Sequence, residues 1–268
     1  MTTVVELFDD QWIEEGDELA ELVSESLSPR GPEMLFDLFA EGSVRPGELV
    51  LDLGARDAAH AIELIRRFGL RLLMVDPIPK RLARAVSQIE EAGLAGRVIT
   101  DIGEIERLPV SSGSVDHVWC RDVLSHTDLI RGLTECARVL PTGATMLVNQ
   151  TFGTELLEFN EARRLFRAMA LNSESMSPDN FELAARRTGF EVVAKEVVDS
   201  EWRERSAESG DGRLERDLLA VARLRRSREA LFRHYGSGRF EAMYANHLWS
   251  IYQMLGKLQT IAYLLRRT

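Results

Sequence analysis

Gly54 and Asp76 are the residues whose types and spacing point most directly to chemistry. Gly54 closes the apolar run Leu49-Val50-Leu51-Asp52-Leu53, and Asp76 closes a second run, Leu72-Leu73-Met74-Val75. A buried strand that stops at glycine lets backbone N–H groups approach a ligand closely, because no β-carbon intervenes. An acidic side chain at the end of the next strand is placed to accept hydrogen bonds from a ribose diol. Asp52, two residues before the turn, is close enough to engage an amino group directly or through water. The pattern implies a nucleoside-bearing ligand.

These residues need elements to hold them. Pro46-Gly47 is a turn before strand 49–53, and helix 58–68 follows with Ile62, Leu64, Ile65 and Phe68 inward. Gly69 then sits where a C-cap glycine belongs. Strand 71–75, helix 79–92, strand 97–102, strand 115–120, helix 127–140 and strand 144–149 continue the alternation. Strands alternating with helices of this length imply right-handed crossovers and a parallel sheet. Ligands of such sheets sit beyond the carboxyl ends of the strands. Loops 54–59, 76–79, 103–109 and 120–126 are therefore expected along one rim. Farther on, 155–170 and 179–188 read as helices, 190–198 as a strand, 200–255 as helical and aromatic-rich, and 257–267 as a last strand. Ahead of the sheet, 4–27 and 33–41 read as helices.

Bulk properties narrow the classes. A hydrophobic content of 45% with 28% charged residues belongs to a folded chain with an ordinary core. The formal net charge of −10 argues against a nucleic-acid or anionic-membrane surface, since phosphate binding relies on clustered Lys and Arg. The run Arg223–Arg228 reads as a solvated helix face flanked by Glu215, Asp217 and Glu229. Two cysteines, Cys120 and Cys136, suggest neither a zinc site nor a disulfide framework. The acidic start and the lack of a long apolar run lead to the expectation of a cytoplasmic protein without a membrane anchor.

Five stretches in order then resemble the motifs of class I S-adenosylmethionine-dependent methyltransferases, the small-molecule branch. They are Val50-Leu51-Asp52-Leu53-Gly54, Val75-Asp76-Pro77, Gly103-Glu104-Ile105-Glu106-Arg107-Leu108-Pro109, the segment Ser114–His126, and Arg138–Ala144. The resemblance covers about residues 45–150. It implies an α/β fold, Rossmann-like and doubly wound, with a seven-stranded mostly parallel sheet, an antiparallel last strand and a helical cap. It implies S-adenosylmethionine as cofactor, held by Asp52, Gly54, Ala55, Arg56, Asp76, Pro77, Glu104, Ile105 and Arg121. It also implies methyl transfer to a small, partly apolar acceptor of specialised metabolism. The expected divisions are an N-terminal helical segment 1–45, the cofactor domain 46–199, a cap or lid 200–256, and a closing strand 257–268.

One departure matters. The family's first motif usually carries two or three glycines, whereas here the run is Gly54-Ala55-Arg56-Asp57-Ala58-Ala59. If position 56 needs a positive φ, its side chain costs about 1–2 kcal/mol. Arg56 is alternatively a partner for the methionine carboxylate. A rival reading follows, in which the degenerate turn marks a methyltransferase-like fold used for another reaction such as a cyclisation, or for binding a partner. A nicotinamide reductase is disfavoured, because the turn lacks the spaced glycines of dinucleotide folds.

Where the acceptor is a hydroxyl, a base helps. His126, on the rim just past the fourth strand, is the candidate catalytic residue, with a loop-fixing histidine as the plainer reading. Asn149, Trp202, Tyr235 and His247 are candidate substrate contacts, and Tyr235, His234 and His247 are alternative bases. No metal site is expected. The acidic N-terminal helices and the aromatic cap are candidate surfaces for a homodimer.

Overall fold

The structure, a computed structural model, describes residues 18–54, 56 and 58–268. Most of the helix expected over 4–27, and the cofactor candidate Ala55, lie outside the described residues; 18–24 are helical.

Seven strands form one sheet: β1 (Leu49–Leu53), β2 (Arg71–Asp76), β3 (Val98–Ile102), β4 (His117–Arg121), β5 (Thr145–Gly153), β6 (Phe190–Asp199) and β7 (Leu258–Arg267). Their spatial order is β3-β2-β1-β4-β5-β7-β6. The first five pair in parallel, and β7 runs antiparallel to β5 and β6. The doubly wound sheet with its antiparallel last strand is thus as expected. The chain winds outward from β1 in one direction through β2 and β3, and in the other through β4 and β5. The switch point therefore lies between β1 and β4.

Strand alternation assigns the two faces. Val50, Trp119, Leu147 and Leu264 pack with α1 (Met34–Ala40), α2 (Ala59–Phe68) and α3 (Pro79–Glu91). Leu51, Leu53, Val118, Cys120 and Tyr263 pack on the other face with α4 (Leu129–Val139) and α6 (Pro178–Arg187). A third cluster, with Leu165, Met176 and Leu258, lies under α5 (Phe159–Ala168).

Several boundaries differ from the sequence reading. The fifth strand does not stop at 149 but continues to Gly153, because β7 pairs with it from Thr145 to Gly153. Asn149-Gln150-Thr151 looks like a strand end only until that partner satisfies its backbone. The fourth strand starts at His117: just before it the Asp116 carboxylate accepts the Leu49 N–H at 2.7 Å while the Asp116 N–H donates to the Leu49 carbonyl at 2.9 Å. The helical stretch expected over 200–255 is four helices: α7 (Glu201–Glu208), α8 (Arg213–Arg226), α9 (Arg228–Tyr235) and α10 (Ser237–Met254). Gly212 and Gly236, at φ 63° and 79°, make two of the breaks in backbone conformations that favour glycine.

Candidate cofactor and acceptor cleft

Gly54 leaves β1 at φ 84°, and its N–H donates to the Val75 carbonyl at 3.0 Å. A β-carbon there would lie 2.7 Å from Val123 Cγ2, so the position is closed to side chains on two counts. The turn then repeats the left-handed conformation, with Arg56 at φ 39° and Ala58 at φ 54°. Every second residue of the turn therefore takes a backbone shape that suits glycine, while only the first is glycine. Arg56 is exposed and Ala58 buried. The strain anticipated at position 56 is present.

Asp52, one residue before the end of β1, and Asp76, which ends β2, lie inside the protein, with relative exposures of 5% and 1%. Burial pushes the Asp52 carboxyl up to about 7, with the Arg121 guanidinium opposing the shift and Asp76 adding to it. Asp76 Oδ1 accepts the Ile78 N–H at 2.8 Å, while its Oδ2 is buried with no hydrogen-bond partner. Buried polar atoms are rarely left this way, so a ligand donor is the natural complement. Pro77 is exposed beside it. Across the rim, Glu104 is exposed and Ile105 buried, in a tight turn where the Arg107 N–H donates to the Glu104 carbonyl at 3.0 Å. A β-carbon on Gly103 would lie 2.5 Å from Pro109 Cδ, which keeps that turn against Pro109.

Asp52, Gly54, Arg56 and Arg121 line one cleft, together with His60 and Trp119. The last two were not singled out from sequence. Trp119 stacks on Phe36 at 5.2 Å and lies 5.5 Å from the His60 ring, so helices α1 and α2 meet over it. The available signal was alternation: residues 119 and 121 of one strand share a face.

Asn149 is opposite Arg121 in the β4–β5 ladder and is 1% exposed. Neither atom of its side-chain amide has a hydrogen-bond partner. Next along the same face, Thr151 Oγ1 lies 3.2 Å from Thr260 Oγ1, and both meet the Gln253 amide nitrogen. Arg203 Nε and Nη2 donate to Gln253 Oε1, the former at 2.7 Å. Asp122, at φ 52°, accepts the Thr151 N–H at 3.2 Å. Trp202 packs on the α1–α3 side of the core with its indole N–H unpartnered.

Other candidates sit elsewhere. His126 is exposed and its Nδ1 is 3.0 Å from the Ala170 carbonyl oxygen. His247 Nδ1 is 2.8 Å from Asp217 Oδ1, whose second oxygen accepts the Ser250 hydroxyl. Tyr235 is not brought to the cleft: its ring meets His234 edge-on at 4.4 Å and lies under Arg239. Most aromatics of α9 and α10 pack against each other or against α5, as with Phe232 on Phe240 and Tyr252 on the cluster under α5. Among the described residues, no group of histidine, cysteine and carboxylate side chains is arranged to hold a metal ion.

Residues 50–143 match the methyltransferase domain family. Over that stretch the chain is similar to methyltransferase domains. Over 123 residues it is 28% identical to Methyltransferase GfsG of Streptomyces halstedii, covering 46% of this chain and 44% of that protein. The chain thus spans under half the length of that curated relative. Among solved structures, the domain and its flanks resemble geranyl diphosphate C-methyltransferase from Streptomyces coelicolor, crystallised with S-adenosyl-L-homocysteine (TM-score 0.62, 13% identity, 87% of this chain and 76% of that one). They also resemble the cyclase SpnF (TM-score 0.65, 20% identity, 88% and 81%). Within the matched residues, the cleft lies at the carboxyl ends of β1 and β4, and the Asp76 carboxylate at the end of β2 is near enough to act on Asp52.

Proposed function

We propose that this protein transfers the methyl group of S-adenosylmethionine to a small-molecule acceptor. The observation that carries the reading is Asp76: a buried carboxylate with one oxygen fixed by the Ile78 N–H and the other unmatched, beside a turn that opens at Gly54. In this reading Asp76 takes the ribose hydroxyls, Asp52 and Arg121 face the amino-acid end, Arg56 pairs with its carboxylate, and the 104–105 turn meets the adenine. The bound cofactor supplies an electrophilic methyl carried on a sulfonium. The residues around it contribute chiefly alignment and exclusion of water. Helices α7–α10 act as the lid of a partly apolar acceptor site, with Trp202 packed against the core cluster that holds Trp119.

For a hydroxyl acceptor, His126 is the proposed base. Donation from Nδ1 to the Ala170 carbonyl places the lone pair on Nε2, the tautomer that accepts a proton. His247, held in the same way by Asp217, is the alternative. His126→Gln and His247→Gln separate them: the true base loses kcat with adenosylhomocysteine affinity unchanged.

Side chains at the left-handed positions 56 and 58 favour a second reading, in which the fold serves another reaction. Calorimetric titration with S-adenosylhomocysteine decides between them. Micromolar binding that is lost in Asp76→Ala supports methyl transfer. No binding, or binding indifferent to Asp76, supports the second reading.

A further inference from the structure

Arg203 presents a charge without a counterion. It is partly buried between α10 and the sheet, yet among the described residues no carboxylate forms an ion pair with it. Its hydrogen-bond partner is a neutral amide oxygen, that of Gln253. The three acids near enough to act on it are engaged elsewhere: Asp217 by His247 and Ser250, Asp122 by the Thr151 N–H, and Asp211 by the Ser206 hydroxyl and the Arg213 N–H. Burial lowers its pKa, with Arg213 adding to the shift and Asp217 opposing it. A buried guanidinium ordinarily has a carboxylate or phosphate against it.

A second, independent observation lies on the same face. Asn149 precedes Thr151 by two residues, and Thr151 Oγ1 accepts from the same Gln253 that holds Arg203. The Asn149 amide is almost fully buried with both polar atoms unmatched. A buried amide with nothing to bond is costly unless a ligand completes it. Arg121, opposite Asn149 on β4, extends this polar surface to Asp52 in the cofactor cleft.

We propose that Arg203, together with the Asn149 amide, forms a subsite for an oxyanion on the acceptor, a carboxylate or a phosphate. This rests on the methyltransferase reading for its role and extends it to the substrate class. The acceptor then carries its anion over the ends of β5 and β7, and its methylated atom toward Arg121 and the cofactor half. Gln253 is a positioning residue: bonded to Thr151 and Thr260 through its nitrogen, it fixes the guanidinium through its oxygen.

Three probes sharing one apolar body provide the test: benzoate, phenyl phosphate and the neutral isostere benzamide, each titrated into protein saturated with S-adenosylhomocysteine. Benzoate or phenyl phosphate should bind at least tenfold more tightly than benzamide, and whichever is tighter identifies the oxyanion. Arg203→Met should remove that preference while adenosylhomocysteine affinity stays within twofold of wild type. Gln253→Glu supplies an internal counterion and should abolish anion binding without loss of thermal stability, which a purely structural clamp would not do. Equal binding of all three probes, or an anion preference that survives both variants, overturns the proposal. Adenosylhomocysteine titration of the unaltered protein reports separately on the underlying methyltransferase reading.

Discussion

Asp76 Oδ1 lies 2.8 Å from the Ile78 nitrogen, and this bond turns the other carboxylate oxygen away from every protein donor. The same two residues set the end of β2 and the entry to α3, so the acid is oriented by the backbone it terminates. Charge-assisted bonds contribute about 1.5–3 kcal/mol each. Asp76→Ala should therefore weaken S-adenosylhomocysteine binding roughly 10- to 100-fold or more. Asp76→Asn, which keeps one acceptor, should fall between. Titration calorimetry on folded variants checks both, and unchanged affinity would remove Asp76 from the site.

Arg56 should be a point of stored strain. An L-residue at φ 39° is disfavoured by about 1–2 kcal/mol relative to glycine. Arg56→Gly relieves that but adds backbone freedom to the unfolded chain, offsetting roughly 0.5–1 kcal/mol. A net gain of up to about 1 kcal/mol corresponds to a rise of ~2–4 °C in Tm for a chain of this size. If Arg56 also faces the methionine carboxylate, the stabilised variant binds adenosylhomocysteine more weakly. Thermal unfolding and calorimetry on one preparation separate the two effects. A Tm that falls would show that the arginine makes a stabilising contact outweighing its backbone strain.

Much of this site is legible in the sequence because it is local. Gly54 and Asp76 each end an apolar run, and the turn after Gly54 falls at its positions 56 and 58 in the left-handed shape that the missing glycines imply. The parallel part of the sheet followed from strand–helix alternation and crossover handedness, and the antiparallel last strand from the resemblance. What was not legible depends on residues far apart in the chain. Arg203 meets Gln253 across 50 positions, and Gln253 meets Thr151 across 102. No periodicity encodes such pairs. The aromatics of α7–α10 illustrate the converse: their helical spacing suggests a core, yet Tyr235 is exposed, and Phe240 and Tyr244 stack on each other within α10.

Asp52 should make both stability and ligand affinity pH-dependent. Its carboxyl titrates near 3.8 when exposed and at about 7 in the folded protein, because burial disfavours the charged form. The folded state holds the proton more tightly, so this contribution to stability is complete below 3.8 and lost as pH rises through 7. Asp52→Asn cannot ionise, so wild type should lose stability relative to it between pH 4 and pH 8. A cationic amino group facing Asp52 favours ionisation, so adenosylhomocysteine binding near pH 6 should release protons. Calorimetry in buffers of different ionisation enthalpy reads that release. Parallel stability curves for the two proteins would contradict it.

Cys120 and Cys136 should be inert in the native protein. Burial pushes the Cys120 thiol up to about 12 and raises Cys136 well above its ordinary value. Thiolate is the reactive form, and neither sulfur is exposed. A colorimetric thiol reagent at pH 8 should label neither until denaturant is added. Rapid native labelling of either would show that this core face opens.

Arg30 fastens the segment ahead of α1 to the end of β6 and the start of α7. Its guanidinium donates to Glu201, to Glu196 at 2.7 Å and to the Val197 carbonyl at 2.8 Å, while its N–H donates to Glu201 at 2.9 Å. Arg205 and Glu33 form a second ion pair across the same junction. Both partners are substantially solvated, and exposed pairs contribute about 1 kcal/mol or less. Arg30→Ala should thus leave global unfolding nearly unchanged. Locally the effect is larger in kind: losing about 1 kcal/mol of tethering speeds opening roughly fivefold. Hydrogen exchange should therefore accelerate over residues 28–33 and 200–205, with the strands of the sheet unaffected. Acceleration across the whole sheet would mean that Arg30 supports the fold itself rather than this junction alone.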